Sequence, residues 1–268
     1  MSIQPKSDGS ALVRMEHIYK TFHPHSVNEV VLFQDFNLSI EEGQFVSVVG
    51  SNGSGKTTIL NLLCGSFPVD SGTITVDGRD ITRLKEYQHS KFIGRVFQDP
   101  SKGTCPELTI LENMALADNK GGAYNLRRGV NRKRIDEYRT QLELLKLGLE
   151  DKLNLSVGSL SGGQRQALAL LICTMTPIDL LILDEHTAAL DPKSSENVMQ
   201  MTERIVQEKK LTTLMVTHNL KFAINYGDRL VMMHRGSIVL DAASEQKSVL
   251  STRDLTEKFN QISLEDGN

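Results

Sequence analysis

One stretch restricts this chain more than any other: Gly50-Ser51-Asn52-Gly53-Ser54-Gly55-Lys56-Thr57-Thr58. It follows the apolar, β-rich run Phe45-Val46-Ser47-Val48-Val49 and precedes the helical pattern Ile59-Leu60-Asn61-Leu62-Leu63. Strand, glycine-rich turn and helix start, in that order, are the setting in which G-x-x-x-x-G-K-[ST] binds phosphate. Glycines let backbone N–H groups turn inward without a Cβ clash. Those donors, with the positive end of the following helix, make a cradle for phosphate oxygens. Lys56 is expected to reach the β- and γ-phosphates of a nucleotide, and the Thr57 hydroxyl to ligand Mg²⁺.

Two further stretches carry chemistry. Leu180-Leu181-Ile182-Leu183 reads as a buried strand ending in Asp184-Glu185. Carboxylates at the end of such a strand sit where ligands gather in parallel sheets. Asp184 is suited to Mg²⁺, and Glu185 to polarising a water aimed at the γ-phosphate. Leu160-Ser161-Gly162-Gly163-Gln164-Arg165-Gln166 opens a helix, and its glycine pair makes a second anion cradle. One nucleotide does not need two cradles from one chain. Two chains facing each other, each offering this cradle to the other's nucleotide, resolve the redundancy.

Between these motifs the texture alternates. Strands are expected over Ala11–Tyr19, Val30–Ile40, Thr73–Val76 with a turn at Asp77-Gly78, and Phe92–Phe97. From Asp99 to about Gly158 strand signals vanish, and helical spacing marks Leu108–Leu116 and Arg132–Leu147. The rhythm then returns: helix over Gln164–Met175, the strand before Asp184, helix over Ser194–Gln207, strand over Leu211–Val216, helix from Leu220, and two short strands, Arg229–Met233 and Ser237–Leu240. Buried strands alternating with helices argue for an α/β class with a largely parallel sheet and an inserted helical lobe. The polar tail from Ser244 is expected to hold one small helix.

In these ordered motifs the chain resembles the ATP-binding cassette (ABC) family, specifically a stand-alone nucleotide-binding subunit of the bacterial importer type. The resemblance implies a P-loop NTPase core, with an antiparallel N-terminal β subdomain, over about 11–98 and 170–245. It places a helical subdomain at about 99–169, all within one ATPase domain (11–245), and a tail at 246–268. It implies ATP and Mg²⁺ as ligands. Gly50 through Thr58 become the nucleotide-binding loop, Gln98 the glutamine shared by metal and catalytic sites, and Ser161, Gly162, Gly163 and Gln164 the signature. Asp184 and Thr57 hold the metal, Glu185 is the catalytic glutamate, Asp191 belongs to the loop facing the second copy, and His218 is the switch histidine. Phe22 resembles the aromatic that stacks on adenine. One departure stands out: the family usually has proline after the glutamate, and here the residue is His186. A histidine there could add a pH-sensitive group, but the blander expectation is a side chain that points away.

The same resemblance implies a homodimer closing on two Mg·ATP, with hydrolysis powering separate membrane permease subunits. It also implies an extracytoplasmic substrate-binding protein, a seat at the cytoplasmic face of the membrane, and import of a small solute. The stretch Gln98-Asp99-Pro100-Ser101-Lys102-Gly103-Thr104 resembles cassettes serving amino-acid-like cargo such as tryptophan or tyrosine. The alternative is a non-transport ABC ATPase of the DNA-repair or translation-associated type. The first would split Lys56 from Asp184 with a long coiled coil, and the second would carry two sets of motifs; neither is present. Bulk properties agree. Lys+Arg 30 against Asp+Glu 33 gives no global basic field for nucleic acid. Cys64, Cys105 and Cys173 lack the spacing of a zinc site or a disulfide framework. Met1–Ser10 has no apolar core, so no signal peptide is expected. The longest apolar run, Ala167–Leu183, is broken by Pro177 and Asp179. The basic segment Tyr124–Arg139 reads as a solvated face rather than a lipid or permease contact.

Overall fold

β1 (Ala11–Phe22) pairs antiparallel with β2 (Val30–Glu41) on one side and with β4 (Ser71–Val76) on the other. With β5 (Arg79–Asp80) they form a four-stranded sheet in the order β2-β1-β4-β5. Phe36, Leu38 and Ile40 of β2 are buried while their neighbours are exposed, the period-two pattern of a sheet with one dry face. β1 starts where expected but runs three residues past Tyr19. β4 begins two residues before the expected strand because Gly72, at φ +102, lets the chain pass within contact of the His17 carbonyl.

The computed structural model describes residues 11–122 and 129–265. The chain divides into two units, Met1–Ser90 with Lys210–Asn268, and Lys91–Lys209. The first unit holds the antiparallel sheet and a second set of strands in the order β10-β9-β3-β8. Here β3 (Phe45–Gly50) lies parallel to β8 (Thr212–Val216) and β9 (Arg229–His234), and β10 (Ser237–Ala243) is antiparallel to β9. Every residue of β3 is buried, as a strand covered on both faces requires. Helices α1 (Lys56–Leu63), α2 (Glu86–His89), α7 (Leu220–Asn225), α8 (Ser244–Ser248) and α9 (Thr252–Glu265) belong to this unit. The tail thus contains two helices, not one. Leu255, Phe259 and Ile262, at i, i+4 and i+7, form the stripe by which α9 joins the cluster around Val49, Leu230 and Met232.

In the second unit β6 (Ile93–Val96) pairs parallel with β7 (Leu180–Asp184). Helices α3 (Ile110–Asp118), α4 (Ile135–Glu143), α5 (Gly162–Cys173) and α6 (Pro192–Lys209) accompany them. The expected helix over Arg132–Leu147 is shorter: it opens as a 3₁₀ turn over Arg132–Arg134, and the chain turns out at Lys146, which takes φ 54. Each unit pairs its strands with helices, the α/β architecture expected of a P-loop NTPase.

Candidate nucleotide and catalytic site

The first unit carries the phosphate loop. β3 ends at Gly50, and the chain turns through Gly53 (φ 76) and Gly55 (φ 104) before α1 starts at Lys56. Gly55 is required twice over: its φ suits glycine, and a Cβ there would lie 2.8 Å from the Phe33 ring. The Lys56 ammonium is folded into the loop, donating to the carbonyls of Gly50 at 2.7 Å and Ser51 at 2.8 Å. These two carbonyls hold the ammonium beside the N-terminus of α1, the end of a helix that favours anions. Asn52, Gly53 and Thr57 are exposed, Thr58 is half-buried and Ser54 is buried. Gly236, on the turn after β9, braces the loop by donating its N–H to the Ser54 carbonyl at 3.0 Å.

His218 follows β8 in the same unit and is exposed. It is set between Thr217, whose N–H donates to the Val48 carbonyl, and Asn219, whose side chain caps α7 by accepting from the Phe222 N–H. Phe22, at the end of β1, meets the Phe67 ring edge-on at 5.5 Å, with the Lys20 ammonium 5.6 Å from its centre. His234, which no motif marks in the sequence, places Nδ1 3.3 Å from the Ser51 hydroxyl. No spacing rule could have found it, because the contact exists only through the β3–β9 pairing.

The second unit carries the remaining groups. Asp184 closes β7, and Glu185 follows with φ 47, left-handed backbone that a non-glycine residue adopts at a cost. Such strain persists where the surroundings enforce it, commonly at functional positions. Gln98 is exposed just past the end of β6. Ser161 and Gln164 form a capping box at the start of α5: the Ser161 hydroxyl accepts from the Gln164 N–H and the Gln164 side chain accepts from the Ser161 N–H. This leaves the N–H groups of Gly162 and Gly163 in the first turn. Both glycines allow close packing, since a Cβ on Gly162 would touch Leu190 and one on Gly163 would touch Ser194, each at 3.2 Å. Asp191 caps α6 by accepting from the Ser194 N–H at 3.0 Å, and these bonds hold its carboxyl below the usual carboxylate range.

His186 settles the departure from the family pattern. Its side chain is buried, with Nε2 3.2 Å from the Thr202 hydroxyl on α6. That hydroxyl donates to the Val198 carbonyl, so His186 Nε2–H is the donor between them. Burial pushes its pKa down to about 4, and it is neutral near pH 7. In the basic segment, Arg127 and Arg128 lie outside the described residues, Arg134 is tied to Asp118 and Glu137, and Arg139 to Asp136.

Among the described residues no group of three or more His, Cys, Asp or Glu side chains is placed to hold a metal. The Asp184 carboxylate at the end of β7 and the exposed Thr57 hydroxyl at the head of α1 are oxygen donors of the kind Mg²⁺ takes. A protein-family model described as ABC transporter matches residues 33–188. The chain belongs to the ABC transporter family. It is similar to a tyrosine transport ATP-binding protein of Clostridioides difficile, 46% identical over 92% of this chain and 98% of that protein. It is also similar to a solved ATP-binding cassette of an ABC transporter in its ADP conformation, with TM-score 0.77 and 26% identity over 92% of this chain and 98% of that one. A dimeric cassette bound to ADP and Pi in a post-hydrolysis state gives TM-score 0.71 and 29% identity, covering 86% and 98%. This ABC chain is an ATP-binding, ATP-hydrolysing transporter subunit. Among the described residues no helix is long and apolar enough to cross a membrane.

Proposed function

We propose that this ABC ATPase works as a homodimer that drives import of an amino acid, of the aromatic class, through separate permease subunits at the cytoplasmic face of the membrane. An extracytoplasmic substrate-binding protein delivers the cargo. The observation that carries the ATPase chemistry is the Lys56 ammonium held within the loop at the head of α1. Lys56 and the loop amides of Gly50 to Thr58 bind the β- and γ-phosphates, and Phe22 stacks on adenine. Thr57, Gln98 and Asp184 hold Mg²⁺, which when bound neutralises charge developing on the phosphoryl oxygens. Glu185 orients the attacking water, and His218 contacts the γ-phosphate. Catalysis is then positioning and charge stabilisation.

Dimerisation is supported by the exposure of Ser161 and Gly162 at a capped helix start. Their N–H groups, with Gly163, Gln164 and Asp191 beside them, meet the triphosphate held by the partner copy. The similarity to a dimeric cassette bound to ADP and Pi supports a dimer. The cargo rests on the tyrosine transport ATP-binding protein, which is similar end to end. The experiment is uptake of radiolabelled tyrosine, tryptophan and a non-aromatic amino acid in membrane vesicles, with the chain reconstituted with a candidate permease from the same organism. ATP-dependent tyrosine or tryptophan uptake, lost in Lys56→Ala, is the expected result. Uptake of only the non-aromatic solute would overturn the cargo.

A further inference from the structure

Asp184 is not waiting for a cation. The guanidinium of Arg95 donates to its carboxylate, with Nη2 2.6 Å from Oδ2. Both side chains are largely shielded, 14% exposed for Arg95 and 17% for Asp184. The register explains the meeting. Arg95 pairs with Ile182 across the parallel strands β6 and β7, and Asp184 lies two residues further on the same face of β7. A second surface also holds the guanidinium: its carbon lies 4.8 Å from the centre of the Phe97 ring.

We propose that Arg95 is the resident counter-ion of Asp184, occupying the carboxylate while Mg²⁺ is absent and giving it up when Mg²⁺ arrives with nucleotide. This rests on the assignment of Asp184 to Mg²⁺ made above. A shielded carboxylate is costly without a positive partner, so the free chain supplies one. The divalent ion replaces one positive charge by two, and the Phe97 face gives the guanidinium a place to remain. Arg95 is a positioning residue that sets the Mg²⁺ concentration at which nucleotide is gripped.

The test measures binding of the non-hydrolysable analogue AMP-PNP to the full chain across a Mg²⁺ titration, together with melting temperature in EDTA and in Mg·AMP-PNP. Arg95→Met moves the Mg²⁺ midpoint about tenfold lower, the loss of a competing charge-assisted bond. It lowers the melting temperature in EDTA but not in Mg·AMP-PNP, whereas a merely structural ion pair would lower both alike. Should Arg95→Met not fold, Arg95→Lys carries the same test, its shorter single-point reach lowering the midpoint about threefold. A midpoint unchanged or raised, or an equal loss of melting temperature in both states, overturns the proposal. Asp184→Asn separates the two readings. If it leaves the Mg²⁺ midpoint in place, the metal assignment falls and this inference with it. If it abolishes Mg²⁺ dependence while the Arg95 variants behave as wild type, the counter-ion role alone is refuted.

Discussion

His186 offers a prediction whose size follows from its surroundings. Its pKa falls from 6.5 in an open chain to about 4 in the folded one, because burial penalises the imidazolium. Between those values the unfolded chain binds a proton that the folded chain refuses, so stability rises with pH there. The contribution is fully present above about pH 6.5, is lost as pH falls, and is exhausted below about pH 4. A gap of about 2.5 pKa units corresponds to about 3 kcal/mol in all, and about 2 kcal/mol of it is lost by pH 5. His186→Gln keeps a donor for the Thr202 hydroxyl and cannot charge. Urea unfolding of both proteins, followed by circular dichroism because the chain contains no tryptophan, should show the wild type losing about 2 kcal/mol relative to the variant between pH 7.5 and pH 5. Other titrating groups cancel in that difference. A wild-type-to-variant gap equal at both pH values, or a His186 imidazole titrating near pH 6.5 by NMR, would refute the burial argument. The same reasoning expects ATP hydrolysis in His186→Gln to keep the wild-type pH profile between pH 6.5 and 8.

Three other substitutions probe the site. Lys56→Ala removes the charge at the centre of the loop, and ATP affinity by calorimetry should drop at least about 100-fold; unchanged affinity would undo the assignment of the loop. Glu185→Gln should keep ATP binding and accumulate a dimer in Mg·ATP on gel filtration, and a purely monomeric profile counts against the paired cradles. Gly236→Ala places a Cβ 1.7 Å from the Leu32 carbonyl oxygen at φ +77. It should cost more than about 2 kcal/mol in denaturant unfolding and weaken nucleotide binding through the brace on Ser54, so a wild-type midpoint would show that the turn relaxes freely.

Much of the site was legible in the chain because its parts are local. A phosphate loop is one strand end, one turn and one helix start, all within Gly50 to Thr58, and the glycines advertise the backbone they permit. The capping box at Ser161 and Gln164 and the carboxylates closing β7 are equally local. The α9 stripe was harder to read, because three apolar residues in a polar helix mean little until a cluster accepts them.

By itself the sequence determined the local elements, the glycine turn between β3 and α1, the helix start at Ser161 and the acidic end of β7, since these depend on residue types at fixed short spacing. Only the tertiary structure decided how those residues are partnered. Arg95 and Asp184 are 89 positions apart and meet because β6 and β7 run in parallel register. His186 is kept neutral by burial against α6, a helix the sequence does not tie to it, with Nε2 3.2 Å from the Thr202 hydroxyl. Charge pairing and desolvation depend on distance in space, and distance along the chain carries no record of either.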